Sequence, residues 1–176
     1  YCILMQNLHH SEGFTETIPG TIRYNNTSLG TAPITAIIPH YNSDTNYSRV
    51  LIASGSQIYM RDDAQNAFRS IYSGLTANRV TSHDSRRNVT YISSEQDNML
   101  QFQGGETLYS VGGGSTQAGP YRRVLFLKEV DRLFAGRHRD RHNEVAWSEL
   151  SQPEIWDGAS VDNIQSTDGD ELEWAE

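Results

Sequence analysis

The apolar residues of this chain come in short runs that fall into groups, and the groups repeat. Within Pro33 to Tyr41 lies Ile34-Thr35-Ala36-Ile37-Ile38. After the polar loop Asn42 to Tyr47 comes Arg49-Val50-Leu51-Ile52-Ala53-Ser54, fully apolar at its centre and closed by Gly55. Gln57-Ile58-Tyr59-Met60-Arg61 follows at once, as across a tight hairpin turn, and Ala67-Phe68-Arg69-Ser70-Ile71-Tyr72 is a more polar run ended by Ser73-Gly74. Runs of this length, rich in β-branched and aromatic residues and bounded by Gly, Asn, Asp and Ser, are predicted strands. The same order returns as a weak run Arg79–His83, then Asn88–Ser93, Asn98–Phe102 and Glu106–Val111. It returns again as Arg123–Leu127, Arg132–Gly136, Glu144–Ser148 and Glu154–Trp156. In Glu144–Ser148 polar and apolar positions alternate, the period of a strand with one face in a core. His138 to His142 is polar and is predicted as a loop. No stretch sustains apolar positions at helical spacing, so no long helix is predicted.

The core strands begin near Val50, Val89 and Leu133, 39 and 44 residues apart. About 40–45 residues carrying four short strands is the period of a β-propeller blade. A single twisted sheet cannot bury both faces alone, and radial stacking buries each sheet on its neighbours. The predicted fold is therefore all-β: a partial β-propeller of four-stranded blades preceded by an N-terminal β-hairpin. Residues 1–32 form the hairpin segment, with Ser11-Glu12-Gly13 as its turn and Thr21–Tyr24 as a further short strand. Residues 33–176 form about three blades, at 33–75, 76–115 and 120–158, and the start of the next, with cores at Leu51, Tyr91 and Phe134. A β-sandwich, whose strands are also short and closely spaced, is the structural alternative. Three blades are too few to close a ring. The chain begins at Tyr1 and ends in the strand-like Glu171-Leu172-Glu173-Trp174, so both ends read as cut from something longer.

Composition narrows the picture. At 176 residues, 36% hydrophobic, the chain is large enough for a real core. No apolar run has the length of a membrane span, and no secretory signal is recognisable at the N-terminus. One cysteine, Cys2, allows no internal disulfide, which fits folding in a reducing cytoplasm. A net charge of −8 argues against bulk nucleic-acid binding. The charge is uneven: Tyr121–Arg141 holds seven Lys/Arg against three acids, and Glu149–Glu176 holds nine acids and no base. Lys128 is the only lysine. The ordinary reading of both runs is solvated loops. The sharper one is that they meet complementary faces of neighbouring subunits, with Arg137, Arg139 and Arg141 against Asp168, Asp170 and Glu171.

Little in the sequence looks catalytic. His138 and His142 are four apart, but Arg139 stands where a zinc-protease motif needs Glu. His9 and His10 are adjacent on a strand and point to opposite faces. Asp168-Gly169-Asp170-Glu171 lacks the spacing of a calcium loop and reads as a turn into the next strand. Gly112-Gly113-Gly114-Ser115-Thr116 lacks the lysine of a phosphate loop and reads as a linker. No G-x-S-x-G is present, and Cys2 has no evident base partner beyond His9 or His10. A propeller glycosidase would need paired carboxylates, and sialidase-type Asp boxes are absent. Asn46-Tyr47-Ser48 and Asn88-Val89-Thr90 match the glycosylation sequon and are read as chance matches. Trp147 and Trp156 are predicted in blade cores rather than as sugar platforms. No enzyme activity, cofactor or metal is expected.

Two places carry a resemblance. Gln6-Asn7-Leu8, Glu12-Gly13 and Ile18-Pro19-Gly20-Thr21-Ile22-Arg23-Tyr24 lie near the N-terminus. Asp131-Arg132-Leu133-Phe134-Ala135-Gly136, Val145-Ala146-Trp147-Ser148, Pro153-Glu154-Ile155-Trp156-Asp157 and Asp168-Gly169-Asp170-Glu171 follow in order near the C-terminus. In order and spacing these resemble the β-propeller-bearing structural proteins of tailed bacteriophages, in particular the tail hub or nozzle (tail tubular) proteins of short-tailed phages. Each motif is short, and family members are usually several times longer. The resemblance implies a non-enzymatic, ring-forming tail component of a virion around the DNA channel, acting in assembly and genome delivery. Its partners would be other copies of itself, neighbouring tail or connector proteins, and viral DNA passing without sequence-specific binding. Its place would be the virion tail, assembled in the host cytoplasm. The competing expectation is a propeller-type adhesin that binds host glycan through exposed Trp or Tyr; a glycosidase comes third.

Overall fold

The structure, a computed structural model, describes residues 8–11, 14–17, 29–62, 64–65, 67–76, 80–112, 118–156 and 161–163. Leu8–Ser11 (β1) and Phe14–Thr17 (β2) pair as an antiparallel hairpin. Three four-stranded antiparallel sheets follow, each with its strands in chain order. The first holds Ile34–Asn42 (β3), Tyr47–Ser54 (β4), Gln57–Asp62 (β5) and Ala67–Ser73 (β6). The second holds Ser82–Arg86 (β7), Val89–Ser93 (β8), Leu100–Phe102 (β9) and Leu108–Ser110 (β10). The third holds Tyr121–Leu127 (β11), Arg132–His138 (β12), Arg141–Trp147 (β13) and Val161–Asn163 (β14). No helix occurs among the described residues.

The sheets stack face on face, and alternation along each strand supplies both faces. Ile38, Leu51, Ala53, Ile58 and Met60 of the first sheet pack on Ile92, Leu100, Phe102 and Leu108 of the second. Tyr91 and Met99 from the other side of the second sheet pack on Val124, Leu133, Ala135 and Ala146 of the third. The middle sheet is thus buried on both faces. The face that the first and second sheets turn toward the next sheet is the front, and the opposite face is the back. The third sheet's back meets the second, and its front is the side turned away.

The junctions repeat as well. Asn88, in the β7–β8 turn, accepts hydrogen bonds from the backbone N–H (2.8 Å) and hydroxyl (3.0 Å) of Ser43 in the β3–β4 turn. Its amide donates to the Asp44 carboxylate at 2.5 Å. One sheet on, Arg86 at the end of β7 grips Asp131 in the β11–β12 turn through two N–H donors at 2.7 and 2.6 Å. All of these bonds span 44 or 45 residues of chain, so corresponding turns of successive sheets are tied side to side. Asn46, Arg87 and Asp131, one in each turn, all adopt positive φ (49°, 52° and 46°). First strands are tied too: the Ser82 hydroxyl donates to the Val124 carbonyl at 3.2 Å, and the Asp84 carboxylate accepts the Phe126 N–H at 2.6 Å.

Several expectations need correction. The fourth strand of the third sheet is Val161–Asn163, not Glu154–Trp156. The chain turns instead through a Glu149–Gln152 bridge, and the Trp156 indole N–H caps the Pro153 carbonyl at 2.8 Å. His138 to His142 is no loop: β12 runs to His138, β13 starts at Arg141, and only Arg139 and Asp140 turn. The first strand of the second sheet is Ser82–Arg86 rather than Arg79–His83. Leu51 and Tyr91 are core residues, but in the third sheet the core position is Leu133, and Phe134 faces the other way, half-buried. The expected strand Thr21–Tyr24 and the turn at Asp168–Glu171 lie outside the described residues.

Candidate interaction surfaces

Of the basic stretch Tyr121–Arg141, Arg137, Arg139 and Arg141 lie at the β12–β13 hairpin end, while Lys128 sits in the β11–β12 turn at the other end of these strands. Arg137 takes positive φ (60°) where the pairing slips between Gly136 and His138. Arg139 sits in the turn. Its guanidinium meets the Asp140 carboxylate at 3.2 Å and donates to the Gln96 carbonyl of the second sheet at 3.4 Å. Arg141 reaches the Glu144 carboxylate at 2.6 Å. Glu144 is almost fully buried and also accepts the Tyr121 hydroxyl at 2.7 Å. Burial first, and then the bond to Glu144, push the Tyr121 phenol well above its ordinary pKa. The His138 ring is buried edge-on to Tyr121, with centroids 5.2 Å apart, and burial lowers its pKa. Arg139 and Arg141 therefore share one hairpin end, each engaged within the chain. Asp168, Asp170 and Glu171 lie outside the described residues.

The C-terminal motif residues singled out in the sequence hold the third sheet together. Asp131 joins Arg86 to the Ser151 hydroxyl, which donates to it at 2.7 Å. Leu133 and Ala135 are core, and the Leu133 N–H donates to the Ser148 hydroxyl at 3.0 Å. The Trp156 ring stacks on Tyr121, 6.3 Å between centroids. Every one of these contacts is structural.

A second surface was not legible as such in the sequence. On the front of the third sheet, Leu125, Phe134 and Trp147 are register neighbours across three strands. The Phe134 and Trp147 rings lie 6.3 Å apart. With Val130, Arg132 and Leu150 the two rings line an open groove of about 560 Å³. Leu125 is 38% exposed, Val130 44% and Leu150 56%. Phe134 and Trp147 were expected in the core because aromatics usually are. The signal that could have placed them outward is parity: Phe134 alternates with Leu133 and Ala135, and Trp147 with Ala146 and Ser148. On the back of the first sheet, Ile37 is 63% exposed and Tyr41 54%.

Chemically, the groove offers apolar area with one guanidinium on its rim and no nucleophile or carboxylate among its lining residues. Among the described residues no three His, Cys, Asp or Glu side chains gather into a metal-holding group. No helix among them is long and apolar enough to cross a membrane. The arrangement defines an all-β chain of three stacked, four-stranded antiparallel sheets. No family model, no curated protein and no solved structure matches the chain.

Proposed function

We propose that the chain is a structural, non-enzymatic part of a phage virion tail, built as consecutive blades of an incomplete β-propeller in a hub or nozzle ring around the DNA channel. The observation that carries the propeller reading is the repeated junction: turns 44 or 45 residues apart are bonded side to side, and each sheet covers its neighbour's face. Such stacking is how a propeller buries sheets that cannot stand alone. The tail reading rests on the order of the motifs near the two ends of the chain, and on a C-terminal motif set that serves architecture rather than chemistry. Its partners would be further copies and neighbouring tail or connector proteins, with DNA passing unread. The basic hairpin end at Arg137, Arg139 and Arg141 and the acidic Asp168, Asp170 and Glu171 are the proposed salt-sensitive part of the contact between copies.

Mass spectrometry of purified tailed particles tests the assignment. The polypeptide should be found in the tail fraction, in a copy number fitting six- or twelvefold symmetry. Its absence from particles removes the reading. The half-buried Trp147 beside Phe134 in an open groove favours the adhesin as second reading, since exposed aromatic faces are sugar platforms. A glycan array decides that point: sugar binding lost in Trp147→Ala would transfer the assignment to the adhesin.

A further inference from the structure

We infer that the chain associates head to tail with a second copy, the front of its third sheet receiving the back of the partner's first sheet. This would hold whether or not the particle is a virion.

The two internal junctions define what a front accepts. The front of the first sheet takes the back of the second, and the front of the second takes the back of the third. Each contact is heterologous, and each pairs apolar positions of alternate parity. The front of the third sheet has the same character, and among the described residues no further sheet covers it. Leu125, Phe134 and Trp147 run across it in register, and Val130 and Leu150 extend the apolar surface toward the β11–β12 turn. An apolar groove of this kind on a sheet face marks an interaction site.

The same molecule carries a back with exposed apolar side chains. On the first sheet, Ile37 and Tyr41 are more than half exposed, and Pro39 between them is exposed as well. Ile37, Ile52 and Tyr59 are register neighbours across three strands, as Ala135 and Ala146 are on the back of the third sheet. Ile52 itself is buried, and Leu29 borders this face, its carbonyl accepting the Tyr59 hydroxyl at 3.4 Å, so the exposed apolar surface is that of β3: Ile37, Pro39 and Tyr41. A second copy thus supplies the class of surface that the third sheet's front lacks. Two three-sheet units joined this way at both ends make a closed set of six sheets, within the usual propeller range of about four to eight. Heterologous contacts that close need no other component.

Light scattering and native mass spectrometry of the 176-residue chain should give twice its 19.8 kDa. Ile37→Asp on the back and Leu150→Asp on the front alter exposed positions, and unchanged circular dichroism and melting would show that both variants fold. Each alone should be monomeric, with dissociation constants raised more than about tenfold. Mixed in equal amounts they should recover a 1:1 dimer, because the unaltered front of one meets the unaltered back of the other. A wild-type monomer at about 100 µM, a concentration far above a micromolar Kd, overturns the contact. So does an Ile37→Asp variant that stays dimeric, which would mean that front meets front, a Leu150→Asp variant that stays dimeric, or a mixture that stays monomeric. In high salt, where the charged contact between copies is screened, a ladder of higher masses overturns closure at two copies.

Discussion

Asp131 is the residue with most consequence for the third sheet. Its carboxylate holds the Arg86 guanidinium of the second sheet and the Ser151 hydroxyl of its own. The Arg86 bond first and the Ser151 bond second hold its pKa well below the usual carboxylate range. A carboxyl whose pKa is lower folded than unfolded adds stability that is complete above the unfolded value, near 3.9. That stability is lost as pH falls toward the folded value. Asp131→Asn should therefore lower the melting temperature at pH 7 more than Asp140→Asn does, and its deficit should shrink as pH falls below about 4. A deficit independent of pH would mean that the pair is not what Asp131 contributes.

Histidines act in a neighbouring window. His40 is buried, its Nδ1 on the Thr90 hydroxyl at 3.0 Å, and its Nε2 meets no hydrogen-bond partner among the described residues. Burial lowers the pKa of His40, His83 and His138. Each holds a proton less readily in the fold than in the unfolded chain, which takes one up near pH 6.5, so stability falls as pH drops below that value. Denaturant titrations at pH 7.5 and 5.5 should show the loss, and His40→Gln should flatten part of it. No change between the two pH values would contradict the burial of these rings.

At the scale of elements, parity separates what could be read from what could not. The runs Ile34–Ile38, Arg49–Ser54 and Gln57–Arg61 were visible by apolar density, and they are strands. The polar β7, Ser82-His83-Asp84-Ser85-Arg86, could not be placed by hydrophobicity, because its side chains bond β11 rather than fill a core. The turn at Arg139-Asp140 was hidden because His138 is polar yet buried against Tyr121. Pro153 and Trp156 masked the displaced fourth strand by forming a local cap. As for the interaction surfaces, charge pointed to the basic hairpin, and the apolar front went unseen because Phe134 and Trp147 looked like core.

Parity also ranks substitutions in the third sheet. Leu133→Ala should cost about 2–5 kcal/mol and Trp156→Ala about 3–5 kcal/mol, since both side chains are buried. Trp147→Ala, on the open front, should cost clearly less than Trp156→Ala. Urea unfolding of the three variants checks the order, and a larger loss at Trp147 would place that ring inside rather than on the front.

For the molecule as a whole, the middle sheet sets the order of opening. Among the described residues it is the one sheet of the three with another packed on each face. Amide exchange should be slowest in Val89–Ser93 and faster in β14, which lies at an edge. Exchange slowest in the first sheet would mean that the stack is not cooperative across its junctions.

The positive-φ turn residues Asn46, Arg87 and Asp131 sit at matching points of three sheets, and each turn is tied to the next. A lineage of such chains can therefore lengthen or shorten without inventing a new contact, provided that it gains or loses one complete turn-to-turn unit at a time. Length in this chain is counted in sheets, and a recombination point falling inside one would leave two faces of the wrong parity against each other.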